Sequence, residues 1–287
     1  MDSLNFWVIQ TFNGISYGAL LFLLGAGLSL IFGVMRIVNL AHGSYFLLGG
    51  YVALTVIWTT GSWALAIPVA ALTIAVVGLL MERIFLRPLG FDPLRQVLLT
   101  VGFAFLFQQA ALDIWTGNNF DINPPQALTE SVEFAGLFLP LYRVFMIATA
   151  LAIGIVLWLA MEKTRLGAQV RATVDDAQMA RGVGIDTSRI SMMIFSLGAF
   201  LAALGGVIGG AFLGVYPGLD FEILPLAFAV VIIGGMGSLG GAAIGALLVG
   251  LADNFGKALF PEISYFTLYA PMALILAVKP TGLFGRE

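Results

Sequence analysis

Few side chains in this sequence are suited to chemistry. Histidine can bind a metal or carry a proton, and there is one, His42, within Arg36-Ile-Val-Asn-Leu-Ala-His-Gly43. Metal sites draw on several His, Cys or carboxylate ligands, and no cysteine, second histidine or close carboxylate cluster stands ready to complete one. His42 is left to orient a substrate or to bond a backbone carbonyl, and the second is the favoured expectation. Gly235-Met-Gly-Ser-Leu-Gly240 spells G-x-G-x-x-G. As a dinucleotide fingerprint that motif needs a preceding strand and an acidic residue about twenty positions on, whereas this copy lies inside an apolar run. Nucleotide binding is not expected there. No G-x-x-x-x-G-K-[ST] occurs, so the chain does not hydrolyse ATP by a P-loop. With no paired carboxylates and no Ser/His arrangement within its apolar runs, it does not read as an enzyme.

The elements that hold these residues are set by composition. Of 287 residues, 60% are hydrophobic and 10% charged, against roughly 25% charged in a soluble domain. Apolar runs such as Ile15 to Val34, Trp63 to Met81, Val97 to Leu112, Val144 to Ala160 and Met192 to Leu213 recur along the whole length, each near the roughly 20 residues of a bilayer crossing. The expected fold is all-α, a polytopic transmembrane helix bundle of about eight membrane segments, forming a single domain over 1–287 with a cytoplasmic loop at 162–190. The 35 glycines are scattered through these runs, and Gly14/Gly18, Gly205/Gly209, Gly206/Gly210, Gly210/Gly214 and Gly241/Gly245 share the four-residue spacing that lets membrane helices approach closely. Met1-Asp2-Ser3 carries no basic residue before the first run, unlike a secretory signal, so that run is expected to stay in the mature protein.

Lys and Arg favour cytoplasmic loops, which orients the chain. Glu82 to Arg95 holds Arg83, Arg87 and Arg95; Glu162 to Ile190 holds Lys163, Arg165, Arg171, Arg181 and Arg189; the tail holds Lys279 and Arg286. Asp113 to Leu137 and Tyr216 to Leu224 carry acids and no base, and read as external. The amino terminus is then outside and the carboxyl terminus cytoplasmic, with Arg143 and Lys257 as exceptions. Six full spans are expected at about 12–34, 43–59, 63–81, 97–115, 140–160 and 191–214. The stretch 225–256 is interrupted by Gly234-Gly-Met-Gly-Ser-Leu-Gly-Gly241 and reads as a hairpin of two short or broken helices, with Pro225 at a helix start. A last span at about 265–278 puts Lys279 inside. Irregular backbone at membrane depth must be buried in protein or face a wet cavity, so the glycine break is a pathway element or a site of tight packing.

Ion-driven carriers place ionisable groups deep in the membrane. Here Asp113, Arg143 and Asp253 fall near span ends, and span centres hold neutral polar groups such as Gln108 and Ser29. The driving energy is expected to come from elsewhere. From Gln169 to Arg181, Val170, Val174, Ala177 and Ala180 recur at helical spacing, with Asp175, Asp176 and Gln178 off that face. Gly182 and Gly184 end this amphipathic helix, and Asp186 is placed to cap the next. Such a helix docks on a soluble partner or lies on the lipid surface, and periodicity alone does not choose.

Arg171-Ala-Thr-Val-Asp-Asp-Ala-Gln-Met-Ala-Arg-Gly-Val-Gly-Ile185 resembles the coupling loop of branched-chain amino-acid ABC transporter permeases of the LivH type. Asn39-Leu-Ala-His-Gly43 with Gly49-Gly-Tyr51, Arg87-Pro88, Gly234-Gly-Met-Gly-Ser-Leu-Gly-Gly-Ala242 and Lys279-Pro-Thr-Gly-Leu-Phe-Gly285 match the family's motifs in the family's order. The resemblance implies an importer of branched-chain or other hydrophobic amino acids in a bacterial inner membrane. Its partners would be an M-type second permease or a second copy of the chain, two cytoplasmic ATPases that bind ATP and Mg, an external or periplasmic binding protein, and membrane lipid. This chain would hold no cofactor and bind no nucleic acid. By the same resemblance 169–185 enters a groove on the ATPase, with Arg171, Ala177, Ala180 and Gly184 as coupling residues. Arg171 would pair with an acidic surface, Ala177 would allow close approach, and Gly184 would permit a turn. Asn39, His42, Gln108 and Ser238, polar groups beside glycine-rich backbone, are the candidate pathway-lining residues. Ser44 departs from the pattern, because many relatives have an acidic residue there. Related permeases carry urea, short amides or aromatic acids, and an autonomous channel or ion-coupled carrier is the alternative of another class.

Overall fold

The computed structural model describes residues 3–90, 92–134, 136–279 and 281–285. Met1-Asp2, on which the reading of the amino end rests, Pro280 of the tail motif, and Arg286, counted among the inner basic residues, lie outside the described residues. Helices follow in the order α1 (Ser3–Met35), α2 (His42–Thr60), α3 (Trp63–Met81), α4 (Pro93–Trp115), α5 (Leu141–Lys163), α6 (Arg165–Asp175), α7 (Ala177–Gly182), α8 (Thr187–Leu213), α9 (Leu219–Gly234), α10 (Leu239–Leu259) and α11 (Ser264–Val278). A π-helical turn, Glu82–Leu86, extends α3. Strands β1 (Ser131–Phe134) and β2 (Leu137–Pro140) pair antiparallel, Ser131 opposite Pro140, in a small hairpin ahead of α5.

Six of these helices, α1, α3, α4, α5, α8 and α10, are long and apolar enough to cross a membrane. The remaining three of the bundle are shorter or more polar. α2 has 19 residues and opens on His42-Gly-Ser-Tyr. α9 with 16 residues and α11 with 15 reach about 24 and 22 Å, short of the roughly 30 Å hydrocarbon core. The expected eight segments are therefore an approximate count. α1 starts well before the expected position 12, because Asn254 Nδ2 donates to the Gln10 carbonyl at 2.8 Å and Trp7 packs on Phe255. Pro225 does not start a helix: it lies inside α9, whose first turn begins at Leu219 and carries Asp220 and Glu222.

Lipid tails are as apolar as leucine, so membrane helices gain little by hiding apolar surface from one another and depend on close van der Waals packing. α1 and α8 form the axis, each with 72% of its central span buried, while α4 and α5 are peripheral at 22% and 17%. Glycine permits the tightest contacts. A Cβ at Gly250 of α10 would lie 2.4 Å from the Gly18 nitrogen of α1, and one at Gly206 of α8 would lie 1.9 Å from the Phe46 carbonyl of α2. The close packing expected of 205–214 is thus present. Interhelical hydrogen bonds add to it, from Tyr142 to the Ile208 carbonyl at 2.6 Å and from Ser196 to the Ala75 carbonyl at 2.9 Å, each worth about 0.6 kcal/mol on average.

The charges sort by end. At one end the α3–α4 link, α6, α7 and the start of α8 meet around a cleft of ≈ 140 Å³ lined by Glu82, Arg87, Gln96, Thr173, Ala177 and Arg181 among others. Met35, the α9–α10 break and the segment after α11 share this end, since a Cβ at Gly237 would touch Gly33 at 3.0 Å and one at Gly235 would meet Gly285 at 2.2 Å. At the other end Phe120 bridges Val215 and Trp63 Nε1 donates to the Asn123 carbonyl at 2.8 Å. The two exceptional bases lie there and are satisfied. Arg143 donates to Asn13 and sits over the Phe212 ring, and Lys257 pairs with Asp253 at 2.7 Å.

Candidate functional site: a mid-depth junction and an elbow at the basic end

Two segments dip into the bundle from opposite ends. After α1 the chain turns at Arg36 (φ 54) and re-enters through Ile37, Asn39 and Ala41, all at least 97% buried. The Asn39 Oδ1 accepts from the Ala41 N–H at 3.1 Å, and the Leu40 N–H donates to Thr100 Oγ1 at 3.2 Å, which answers part of the irregular backbone. α2 then starts deep inside, with His42 Nε2 bonded to the Leu24 carbonyl at 3.0 Å, about 16 Å along α1 from its end. His42 thus makes the backbone contact that the sequence favoured.

From the other end Gly214 (φ 80) to Gly218 (φ 100) carries the chain down to α9, with Val215 and Leu219 buried. The first turns of α2 and α9 touch, since a Cβ at Gly43 would lie 2.4 Å from the Asp220 carbonyl oxygen. Ser44 Oγ donates to Asp220 Oδ2 at 3.0 Å. The departure noted at Ser44 is therefore met by a carboxylate arriving from another helix. Asp220 is 2% exposed, and its Oδ1 has no hydrogen-bond partner. Tyr51, two turns above Ser44 on α2, stacks on Trp115 at 4.9 Å and also leaves its hydroxyl unpartnered. Asn39 Nδ2 and His42 Nδ1 complete a set of orphaned polar atoms around this junction.

The sequence reading of ionisable groups needs correcting here. Asp220 was assigned to an external link and Glu82 to a cytoplasmic loop, yet both are 2% exposed, and Asp253 is 8% exposed. Of the other residues expected to line a pathway, Gln108 is half-buried on α4, one heptad before Trp115. Ser238 is remote from the junction, where it caps α10 by accepting from the Gly241 N–H at 3.0 Å and receives Ser29 Oγ at its carbonyl. The glycine break beside it is filled with protein. A Cβ at Gly234 would lie 2.2 Å from the Gly241 carbonyl, and the Leu283 and Phe284 N–H groups donate to the Ile233 and Gly234 carbonyls at 2.9 and 3.0 Å.

At the basic end the single helix expected over 169–181 is two. Asp176 breaks it by capping α7, its Oδ1 accepting from the Gln178 and Met179 N–H groups at 2.8 and 2.9 Å. α6 folds back so tightly that a Cβ at Gly167 would lie 2.1 Å from the Met161 carbonyl. Arg171 points inward, donating to the Met161 carbonyl, with Glu162 at 3.9 Å. Val170 and Ala180 are buried against the bundle and Ala177 is half-buried, so the apolar stripe read from periodicity faces the protein itself. The apolar groups presented outward at the outer turn are Met179 and Val183, at 65% and 72% exposed, with Leu166 exposed at the start of α6. Gly184 makes the expected turn at φ 90, and Asp186 caps α8 as expected, accepting from the Arg189 N–H at 3.1 Å.

A family model described as the permease component of the branched-chain amino acid transport system matches residues 10–276. The chain belongs to this family. The high-affinity branched-chain amino acid transport system permease protein LivH of Salmonella typhimurium is 30% identical over 98% of this chain and 96% of its own length. The corresponding protein BraD of Pseudomonas aeruginosa is 28% identical over 100% of this chain and 98% of its own. The autoinducer 2 import system permease protein LsrC of Salmonella paratyphi B is 28% identical over 66% of this chain. The motif resemblance thus extends over the chain, which is a multi-pass membrane permease component built as an all-α bundle. The sequence offered a signal for the junction that went unread: Ser44, Tyr51 and Thr55 recur at helical spacing along one face of α2.

Proposed function

We propose that this permease is the membrane subunit of an ATP-binding-cassette importer that moves branched-chain or similar hydrophobic amino acids into the cytoplasm. The observation that carries this reading is the capped elbow of α6 and α7, which sets Met179 and Val183 outward at the basic end of the bundle. Basic ends face the cytoplasm, where a soluble ATPase is reached, and the amino end of α1 is then external. Binding and hydrolysis of ATP, with its Mg, take place in that partner. The short, doubly capped elbow transmits the motion as a rigid body because its inner face, Val170 and Ala180, is keyed into the bundle. In this assignment Arg171 and Ala180 shape the elbow, Ala177 and Gly184 frame its outer turn, and Met179 and Val183 supply the contact. A binding protein delivers substrate at the acidic end, and the second permease is an M-type chain or another copy of this one.

The decisive test is the complex purified with its ATPase and binding-protein partners. L-leucine loaded on the binding protein should stimulate ATP hydrolysis and vesicle uptake, whereas uptake that survives deletion of the ATPases overturns the reading in favour of an autonomous carrier. Gly184→Trp sharpens it. A Cβ at Gly184 meets nothing within 4 Å, but φ 90 is strained for any L side chain, so the distortion is confined to the exposed elbow and the bundle should insert and fold while stimulation is abolished. Normal transport by that variant removes the elbow from the coupling role.

A further inference from the structure

An ionisable side chain at membrane depth is costly and is retained where it handles a charged group. Asp220 stands out on that ground. It sits where the amino ends of α2 and α9 meet, it is 2% exposed, and one carboxylate oxygen is held by Ser44 at 3.0 Å while the other has no side-chain partner, its nearest donors being the N–H groups of Asp220 and Phe221 in its own turn. Lys257, the cation nearest to it in sequence among the later helices, is committed to Asp253 at 2.7 Å. The Tyr51 hydroxyl, completely buried and without a partner, lies on the same face of α2 as Ser44, two turns further on. A free acceptor oxygen of a carboxylate and a free hydroxyl, both excluded from water, form an incomplete coordination set, and a cationic donor with several N–H groups would complete it. Glu82 is also buried with an unpartnered oxygen, but it lies among Arg83 and Arg87, whose charges already face it.

We propose that Asp220, with Tyr51 and oriented by Ser44, is the subsite that takes the ammonium group of an amino-acid substrate as it passes mid-depth. This deepens the importer reading above and rests on it. An ammonium carries three donors and no acceptor, so it satisfies Asp220 Oδ1 and has donors left for the Tyr51 oxygen on the same face of α2 as it passes. A solute without a cationic nitrogen leaves both unmet, and the penalty for an unanswered buried polar group is what gives such sites their selectivity. The junction is closed in this structure, and Gly214 and Gly218 flank the link that must move to admit a substrate. The stack of Tyr51 on Trp115, whose Nε1 donates to Thr55 Oγ1 at 2.7 Å, continues the same face of α2 from the junction toward the acidic end.

The experiment is uptake of L-leucine by vesicles containing the full complex with its ATPase and binding protein, comparing wild type, Tyr51→Phe and Asp220→Asn. Tyr51→Phe deletes a hydroxyl that makes no hydrogen bond in the protein, so a merely structural role predicts no effect. The site predicts a KM raised several-fold with kcat kept. Asp220→Asn keeps the size and the Ser44 contact but loses the charge. It should cut uptake by about tenfold or more, while ATP hydrolysis is still stimulated by the loaded binding protein. Should Asp220→Asn fail to assemble, Tyr51→Phe decides alone. Unchanged uptake in either variant overturns the site while leaving the importer reading standing. A wild-type complex that imports no L-leucine overturns that reading and the site with it.

Discussion

Two places in this bundle abandon regular helix, one at its basic end and one at mid-depth, and they could hardly be treated more differently. The break between α9 and α10 is rich in glycine, yet it is packed and bonded: Gly33 and Gly241 close on it, Ser238 caps it, and two rungs of hydrogen bonds seal it from residues 283 and 284. The junction of α2 and α9 has less unusual sequence and leaves Asp220 Oδ1, Tyr51 Oη, Asn39 Nδ2 and His42 Nδ1 unmet. Irregular backbone at depth has to be buried in protein or line a cavity. What separates the two uses is whether polar atoms remain open, and glycine content does not report that.

Three substitutions put this contrast at risk, in descending order of effect. Gly234→Leu drives a side chain into the Gly241 carbonyl, 2.2 Å from the first added atom; backbone cannot yield as a side-chain tip does, and a loss of about 3 kcal/mol or more is expected. Purified yield and thermal melting measure it, and a variant that assembles and melts like wild type would show the break to be roomier than described. Thr100→Ala leaves the Leu40 N–H of the re-entrant segment without its partner, a cost of about 1–3 kcal/mol. Because α2 starts on that segment, uptake should fall together with melting temperature. Ser238→Ala removes an N-cap and should cost about 1 kcal/mol with leucine KM unchanged, and a shifted KM would return the glycine break to the transport pathway.

The spans themselves were legible, because long apolar runs at this length admit only helices. The expected boundaries at 43–59, 63–81 and 191–214 fall within a few residues of α2, α3 and α8. The Asp186 cap and the Gly184 turn were legible for the same local reason. Asp220 was not. An acid in the first turn of a helix that begins within the bundle looks the same in sequence as an acid in a loop, since depth is set by where Gly214 to Gly218 leads the chain. The elbow was half legible: the periodicity from Val170 to Ala180 is real, but it continues through Asp176 only in sequence, because that side chain prefers two N–H groups of α7 to a place in a helix interior. The resemblance implied an outward Arg171 paired with an acidic surface, whereas its guanidinium turns inward to the carbonyl of Met161 near the end of α5, a partner that only the fold-back of α6 supplies. Pro225 looks like a helix start in sequence but stands seventh in α9, where its ring offers no N–H to the Phe221 carbonyl, because the helix already begins at Leu219.

The hydrogen bonds from Leu283 and Phe284 to Ile233 and Gly234 also set an order of events during synthesis. α9 and α10 emerge from the ribosome with two carbonyls at their break still open, and these cannot be closed until α11 has been made and the residues after it have cleared the exit tunnel. A nascent chain halted after α11 therefore carries α1 to α11 with the joint beside α1 still unsealed.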